Sequence, residues 1–438
     1  MEKSVEISEL IDSRKLSGLQ VWTILICALV VLFDGYDIQT MALVIPTLMK
    51  EWGLQRPAFT LAVSISLFGM FFGASIVGPF GDRFGRKPVM IIGMLIVGVS
   101  SYFTAHSETV NDLVLWRGLT GLGLGMSLPN ATALTSEYVP YKQRAWLISL
   151  MYCNVAVGAL AAGFAAPFLI SNFGWKVVFY VGGVLPLLLV ILLITSIPES
   201  LKLLLAQRPN DKRIPKLIER IAPGVDPQSV YTSDDTHKKT QSVFSLFTKE
   251  YAARSLLLWI LFVLNLSVLY TLISWLPSIL ADAGWSQGDS LRGSVMIQAG
   301  GVVGGLVVAF CSDRKLTVPA LFVAYLVAGA AFAGFLFVES SVRNWDLLLL
   351  AVGAGVSGGQ LAFTALAALF YPPTIRATGT GWAFAMGRFG AFLGPNVAAW
   401  VIATFHLPPV QQLLILIPFV VACALCVLLV PRVWNQNA

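Results

Sequence analysis

Twelve apolar runs divide this chain. They fall at roughly 20–48, 59–80, 88–106, 111–134, 146–170 and 175–197, then, after a polar stretch, at 253–281, 290–311, 318–338, 345–370, 378–405 and 408–431. Each is close to the roughly 20 mostly apolar residues that a helix needs to cross a bilayer. Only 12% of the residues are charged, whereas a soluble chain carries about 25%. The expectation is an all-α membrane protein with 12 transmembrane helices in two six-helix halves. Residues 1–197 would form the first half with its N-terminal tail, 198–252 a cytoplasmic linker, and 253–438 the second half.

The net charge of +6 does not point to nucleic acid, because the basic residues gather in the loops between apolar runs. They are better read through the positive-inside rule. Of the 29 lysines and arginines, only Lys50, Arg56, Lys176, Arg292 and Arg343 fall on the side opposite the termini. Arg117 and Arg388 lie inside runs, and the other 22 share a side with the termini, which are therefore expected in the cytoplasm. The first apolar run is too long for a cleaved leader. The linker, with Pro209, Pro215, Pro223 and Pro227 among basic residues, reads as a cytoplasmic connection with some short helix, its basic face touching anionic headgroups. The five cysteines lie in or at the ends of apolar runs and read as small packing residues. No metal-ligand spacing or nucleophile–base pattern occurs, and the glycine runs follow no strand, so no cofactor and no enzymatic activity are expected.

The halves repeat. Gly81-Asp82-Arg83-Phe84-Gly85-Arg86-Lys87 closes the second run, and Ser312-Asp313-Arg314-Lys315 closes the eighth. Arg144 follows the fourth run and Arg376 the tenth. Asp82 and Asp313 are 231 positions apart, and Arg144 and Arg376 are 232 apart. Two motif pairs at nearly one offset imply a parallel duplication of a six-helix unit, a plan found in transporters.

Four ionisable residues lie inside apolar runs: Asp34, Asp37, Arg117 and Arg388. Burying each costs at least about 2.5 kcal/mol, so such residues mark pathways for protons or substrate. Asp34 and Asp37 are three apart and share a helix face. Two neighbouring carboxylates in a low dielectric cannot both stay ionised cheaply, which makes them the expected proton site. Arg117, at a depth comparable with Asp37, would neutralise an ionised aspartate and couple its protonation to movement. Arg388 would bind a substrate carboxylate, because its planar fork matches one bidentately. Tyr36, Trp275 and Trp382 are candidates to stack on a substrate ring. Asn130, Gln298 and Gln360 are amides in apolar runs that need partners, either a neighbouring helix or a substrate hydroxyl. A static ion network fixing helix packing is the competing reading for Asp34, Asp37 and Arg117, and snorkelling or backbone capping that for Arg388.

The loop Gly81 to Lys87 resembles the signature of the major facilitator superfamily, and the twelve-run plan extends that resemblance over the whole chain. Asp34-Gly35-Tyr36-Asp37 resembles its aromatic acid:proton symporters, as do Gly121-Leu122-Gly123-Leu124-Gly125 with Pro129-Asn130, Ser136-Glu137-Tyr138, Pro198-Glu199-Ser200, Trp275-Leu276-Pro277 and Gly379 through Arg388. Ser127-Leu128 departs from the small pair expected before Pro129. The resemblance implies the major facilitator fold and gating by Asp82, Arg83, Arg86, Glu137, Arg144, Asp313, Arg314 and Arg376. It also implies import of a small aromatic carboxylate with protons, by alternating access, through a monomer in a bacterial inner membrane. An organic-anion or drug exporter and a transporter-like sensor are the alternatives.

Overall fold

The computed structural model describes residues 5–78, 80–207, 210–224, 231–232, 246–248, 251–314, 316–338, 341–371 and 375–435. Among them, a long helical segment stands at each expected position. In the first half these are α1 (Gly18–Trp52), α2 (Pro57–Val77), α3 (Arg86–Thr104), α4 (Val110–Tyr138), α5 (Tyr141–Phe173) and α6 (Lys176–Ser196). In the second they are α7 (Ala252–Asp282), α8 (Gln287–Asp313), α9 (Thr317–Gly334), α10 (Val342–Phe370), α11 (Arg376–Phe405) and α12 (Ile417–Asn435, after the short helix Pro409–Leu414). Eight of the described helices are long and apolar enough to cross a membrane by length and composition. The strand content of the described residues is one two-residue parallel pairing, Val5–Glu6 with Tyr231–Thr232.

The chain divides into two compact units, Met1–Lys239 and Thr240–Ala438. The duplication visible in the loops recurs in the packing. In the first unit α1 packs on α5, α2 and α3 on α4, and α3 on α6. In the second α7 packs on α11, α8 and α9 on α10, and α9 on α12. Glycine permits the tightest of these seams. A Cβ on Gly35 would stand 1.8 Å from the Val155 carbonyl oxygen, and one on Gly158 would stand 1.9 Å from that of Leu32. The two backbones of α1 and α5 therefore touch, as small residues allow in membrane helix pairs.

The 198–252 stretch carries the short helix expected of it. Its described part holds two helices, Leu201–Gln207 and Arg213–Ile221, both within the first unit. Ile214, Ile218 and Ile221 recur at helical spacing and are all buried, while Arg213 is exposed. Pro215 falls in the first turn of the second helix, where proline is tolerated, and Pro223 follows its end, while Pro209 and Pro227 lie outside the described residues.

Candidate substrate and proton site

α1 carries Asp34 and Asp37 on its inner face, and both are buried. Arg117 enters from α4 and is 1% exposed. Its Nη2 donates to Asp37 Oδ2 at 2.9 Å while Nη1 donates to Oδ1, a bidentate pair. Nη2 also reaches the Asp37 carbonyl and, from α2, the Ser66 hydroxyl, each at 3.4 Å. Three helices thus meet on one guanidinium. Asp34 lies one turn before Asp37, beside the Gly35–Val155 contact.

A small cavity borders Asp37, lined also by Phe33, Tyr36, Thr40, Val97, Ser101, Phe179 and Gly182. At about 10 Å³ it is of the order of a single water's space, since roughly 10–15 Å³ is the threshold for one. An aromatic ring does not fit there. Tyr36 is committed to the seam between α1 and α6: its hydroxyl donates to the Val178 carbonyl at 2.8 Å, and its ring joins the core of the first unit.

In the second unit Arg388 of α11 donates from Nη1 to the Tyr270 hydroxyl of α7 at 2.8 Å. Gln360 of α10 accepts at Oε1 from Asn265 Nδ2, also at 2.8 Å. Trp275 is buried in the core of this unit, and Trp382 packs against it with its ring 5.9 Å from that of Trp259. Gln298 is exposed on α8. Asn130, in the first unit, spends its amide on the carbonyls of Gly78 and Met126 and knits α4 to the end of α2.

The expected gating residues gather in part. Arg86 Nε pairs with Glu137 Oε1 at 2.7 Å, and Glu137 accepts from the Ser200 hydroxyl. Burial pushes the Glu137 carboxyl up, opposed by the Arg86 charge. Sequence reasoning gave Glu199 no role, yet it organises this corner. Its Oε1 accepts from the backbone amides of Arg86 at 2.9 Å and Lys87 at 3.3 Å, capping the N-terminus of α3. Gly85 makes room: its φ is +113°, and a Cβ there would stand 2.3 Å from Glu199 Oε2. Lys87 Nζ in turn donates to the carbonyls of Ile194 and Ile197 at the end of α6. Arg83 is exposed beside Phe84, Arg144 lies over the Tyr141 ring, and Arg314 lies over the Phe310 ring. The side chains of Asp82, Asp313 and Arg376 lie outside the described ones.

Comparison with known proteins decides what kind of machine this is. The family model of the Major Facilitator Superfamily matches residues 27–395. The chain belongs to the Major Facilitator Superfamily. The 4-hydroxybenzoate transporter PcaK of Pseudomonas putida is 37% identical, with 92% of this chain and 90% of the relative covered. A gallate transporter of Pseudomonas putida is 34% identical, covering 97% of this chain and 95% of that one. A solved bacterial homolog of the human lysosomal transporter Spinster superposes with a TM-score of 0.70 at 16% identity, over 96% of this chain and 98% of that one, and so shares the fold. The chain is a multi-pass membrane transporter of this superfamily and not an enzyme, as its relatives are.

Proposed function

We propose that this transporter imports an aromatic carboxylate by proton symport through alternating access, with Asp37 and Arg117 as the coupling pair, Asp34 beside them, and Arg388 as the carboxylate anchor. The observation that carries the reading is the buried bidentate Asp37–Arg117 pair, which joins three helices. Protonating Asp37 would leave the Arg117 charge buried without its counter-charge, at a cost of about 3–5 kcal/mol if nothing moves. Moving a two-state equilibrium from 1:99 to 99:1 takes about 5.5 kcal/mol. One proton at this pair therefore carries most of the energy needed to bias one conformation over another.

Arg388, steadied by the Tyr270 phenol, supplies a planar donor fork of the kind that binds carboxylates. The kinship with 4-hydroxybenzoate and gallate transporters supports a ring-bearing acid as its partner. The water-sized cavity at Asp37 supports separate places for proton and substrate. Both termini face the cytoplasm of a bacterial inner membrane in this reading, and the monomer suffices. The experiment is uptake of labelled 4-hydroxybenzoate into proteoliposomes with and without an inward proton gradient. Gradient-dependent accumulation supports symport, whereas efflux driven by the same gradient points to an exporter.

A further inference from the structure

The water-sized cavity beside Asp37 has polar walls whose hydrogen-bonding directions fit one water. Asp37, Thr40 and Tyr36 reach it from α1, Ser101 from α3, and Phe179 and Gly182 from α6. Arg117 and Ser66 hold the charged pair from two other helices, α4 and α2. Both Asp37 oxygens accept from Arg117, yet a carboxylate offers about four acceptor sites, so it can accept from a water as well. The Thr40 hydroxyl spends its hydrogen on the Tyr36 carbonyl at 2.6 Å, which leaves its oxygen as an acceptor. The Tyr36 phenol is likewise spent, on Val178.

Ser101 supplies the missing donor. Its buried neighbours on α3, Ser100 and Thr104, donate to the carbonyls of Ile96 and Ser100, and Ser100 also meets Thr120 Oγ1 of α4 at 2.8 Å. Ser101, 4% exposed, lines the cavity. Gly182 keeps the opposite wall thin, for a Cβ there would stand 3.0 Å from the Tyr36 ring. The cavity also has a level. Ser101 lies in the last turn of α3, which ends at Thr104, and Phe179 in the first turn of α6, which begins at Lys176. Counted through the spans, both of those helix ends lie opposite the termini, which is the outer side in the reading above.

We propose that Ser101 and Thr40 are positioning residues that hold a single water against Asp37, and that protons reach the carboxylate from the outer side through this water. This rests on the reading of Asp37 as the coupling carboxylate of a proton symporter. The water accepts from the Ser101 hydroxyl and donates to Thr40 Oγ1 and to Asp37, three hydrogen bonds in all, the usual complement of a buried water. The outer solution supplies the proton as hydronium. As that proton binds Ser101 Oγ, the serine's own hydrogen passes to the water and a hydrogen of the water passes to Asp37. Each hydroxyl oxygen breaks one O–H bond and forms one, so serine and water are returned unchanged and only Asp37 gains a proton, which frees Arg117 from its counter-charge.

The test compares two fluxes of labelled 4-hydroxybenzoate in proteoliposomes of the full chain. Net uptake under an inward proton gradient needs a proton to bind from outside in every cycle. Exchange of labelled for unlabelled acid at equal pH lets the loaded carrier shuttle with its proton on board. Ser101→Ala removes one hydroxyl and disturbs folding least, and Thr40→Val removes the acceptor while keeping the shape of the side chain. Each should slow net uptake about three- to tenfold, the loss of about one hydrogen bond to the relay. Exchange should stay near wild type, and so should the final level of accumulation, because the relay sets a rate and not a stoichiometry. The double variant should be little slower than the slower single one, since both act through one water. Equal losses in net uptake and exchange, or wild-type rates of both in Ser101→Ala, overturn the relay and leave the symport reading standing. Wild type without gradient-driven uptake overturns the symport reading and this inference with it.

Discussion

Replacing Asp37 by Asn tests the coupling pair at its most exacting point. The substitution keeps size and one acceptor oxygen but leaves the charge of Arg117, 1% exposed, without its counter-charge. Removing one partner of a buried pair costs about 3–5 kcal/mol, so Asp37→Asn should lower the thermal midpoint of the detergent-solubilised protein clearly. Arg117→Gln should do the same, by leaving the carboxylate stranded. The double variant buries two neutral amides and should regain most of that stability, giving a coupling energy of about 2 kcal/mol or more in the cycle. Proton-driven uptake should be lost in all three, because neither single nor double variant can exchange a proton against a buried charge. A double variant as unstable as the sum of the singles would refute the pair's mutual dependence. Full gradient-driven uptake by Asp37→Asn would refute its coupling role.

Three further outcomes follow from other contacts. Glu199→Ala should destabilise by about 1–2 kcal/mol through loss of the α3 cap, and Glu199→Gln by only about 0.3–1 kcal/mol because an acceptor remains; chemical denaturation of the solubilised protein distinguishes them. Gly158→Val should abolish folded yield, since even a Cβ would sit 1.9 Å from the Leu32 carbonyl and the α1–α5 seam has no slack; size-exclusion profiles after expression report it. Tyr270→Phe should raise KM for the carboxylate about tenfold with little change in kcat, because it loosens the Arg388 fork before the substrate is bound.

The fold was legible because hydropathy leaves few choices: a run of about 20 apolar residues in lipid must close its backbone hydrogen bonds within itself, as a helix. The meeting of Asp37 with Arg117 was legible for a related reason. Depth along a spanning helix can be counted from the sequence at about 1.5 Å per residue, and the two residues fell at similar depths. Depth alone does not give azimuth. Tyr36 and Trp275 stand at plausible depths but face the seam with α6 and the core of the second unit, and Asn130 faces a helix end. Asn265, the partner of Gln360, was missed although it carried the same signal, an amide in an apolar run. Glu199 was missed because a carboxylate near a run of basic residues reads as solvated, and its capping role depends on a left-handed glycine contributed from more than 100 residues away.

The most direct measurement is the proton itself. In lightly buffered proteoliposomes with no imposed gradient, adding 4-hydroxybenzoate outside should make the external medium more alkaline as each acid enters with a proton, and Asp37→Asn should abolish the signal while leaving binding intact. Substrate entry by the wild type without any change in external pH would contradict the account.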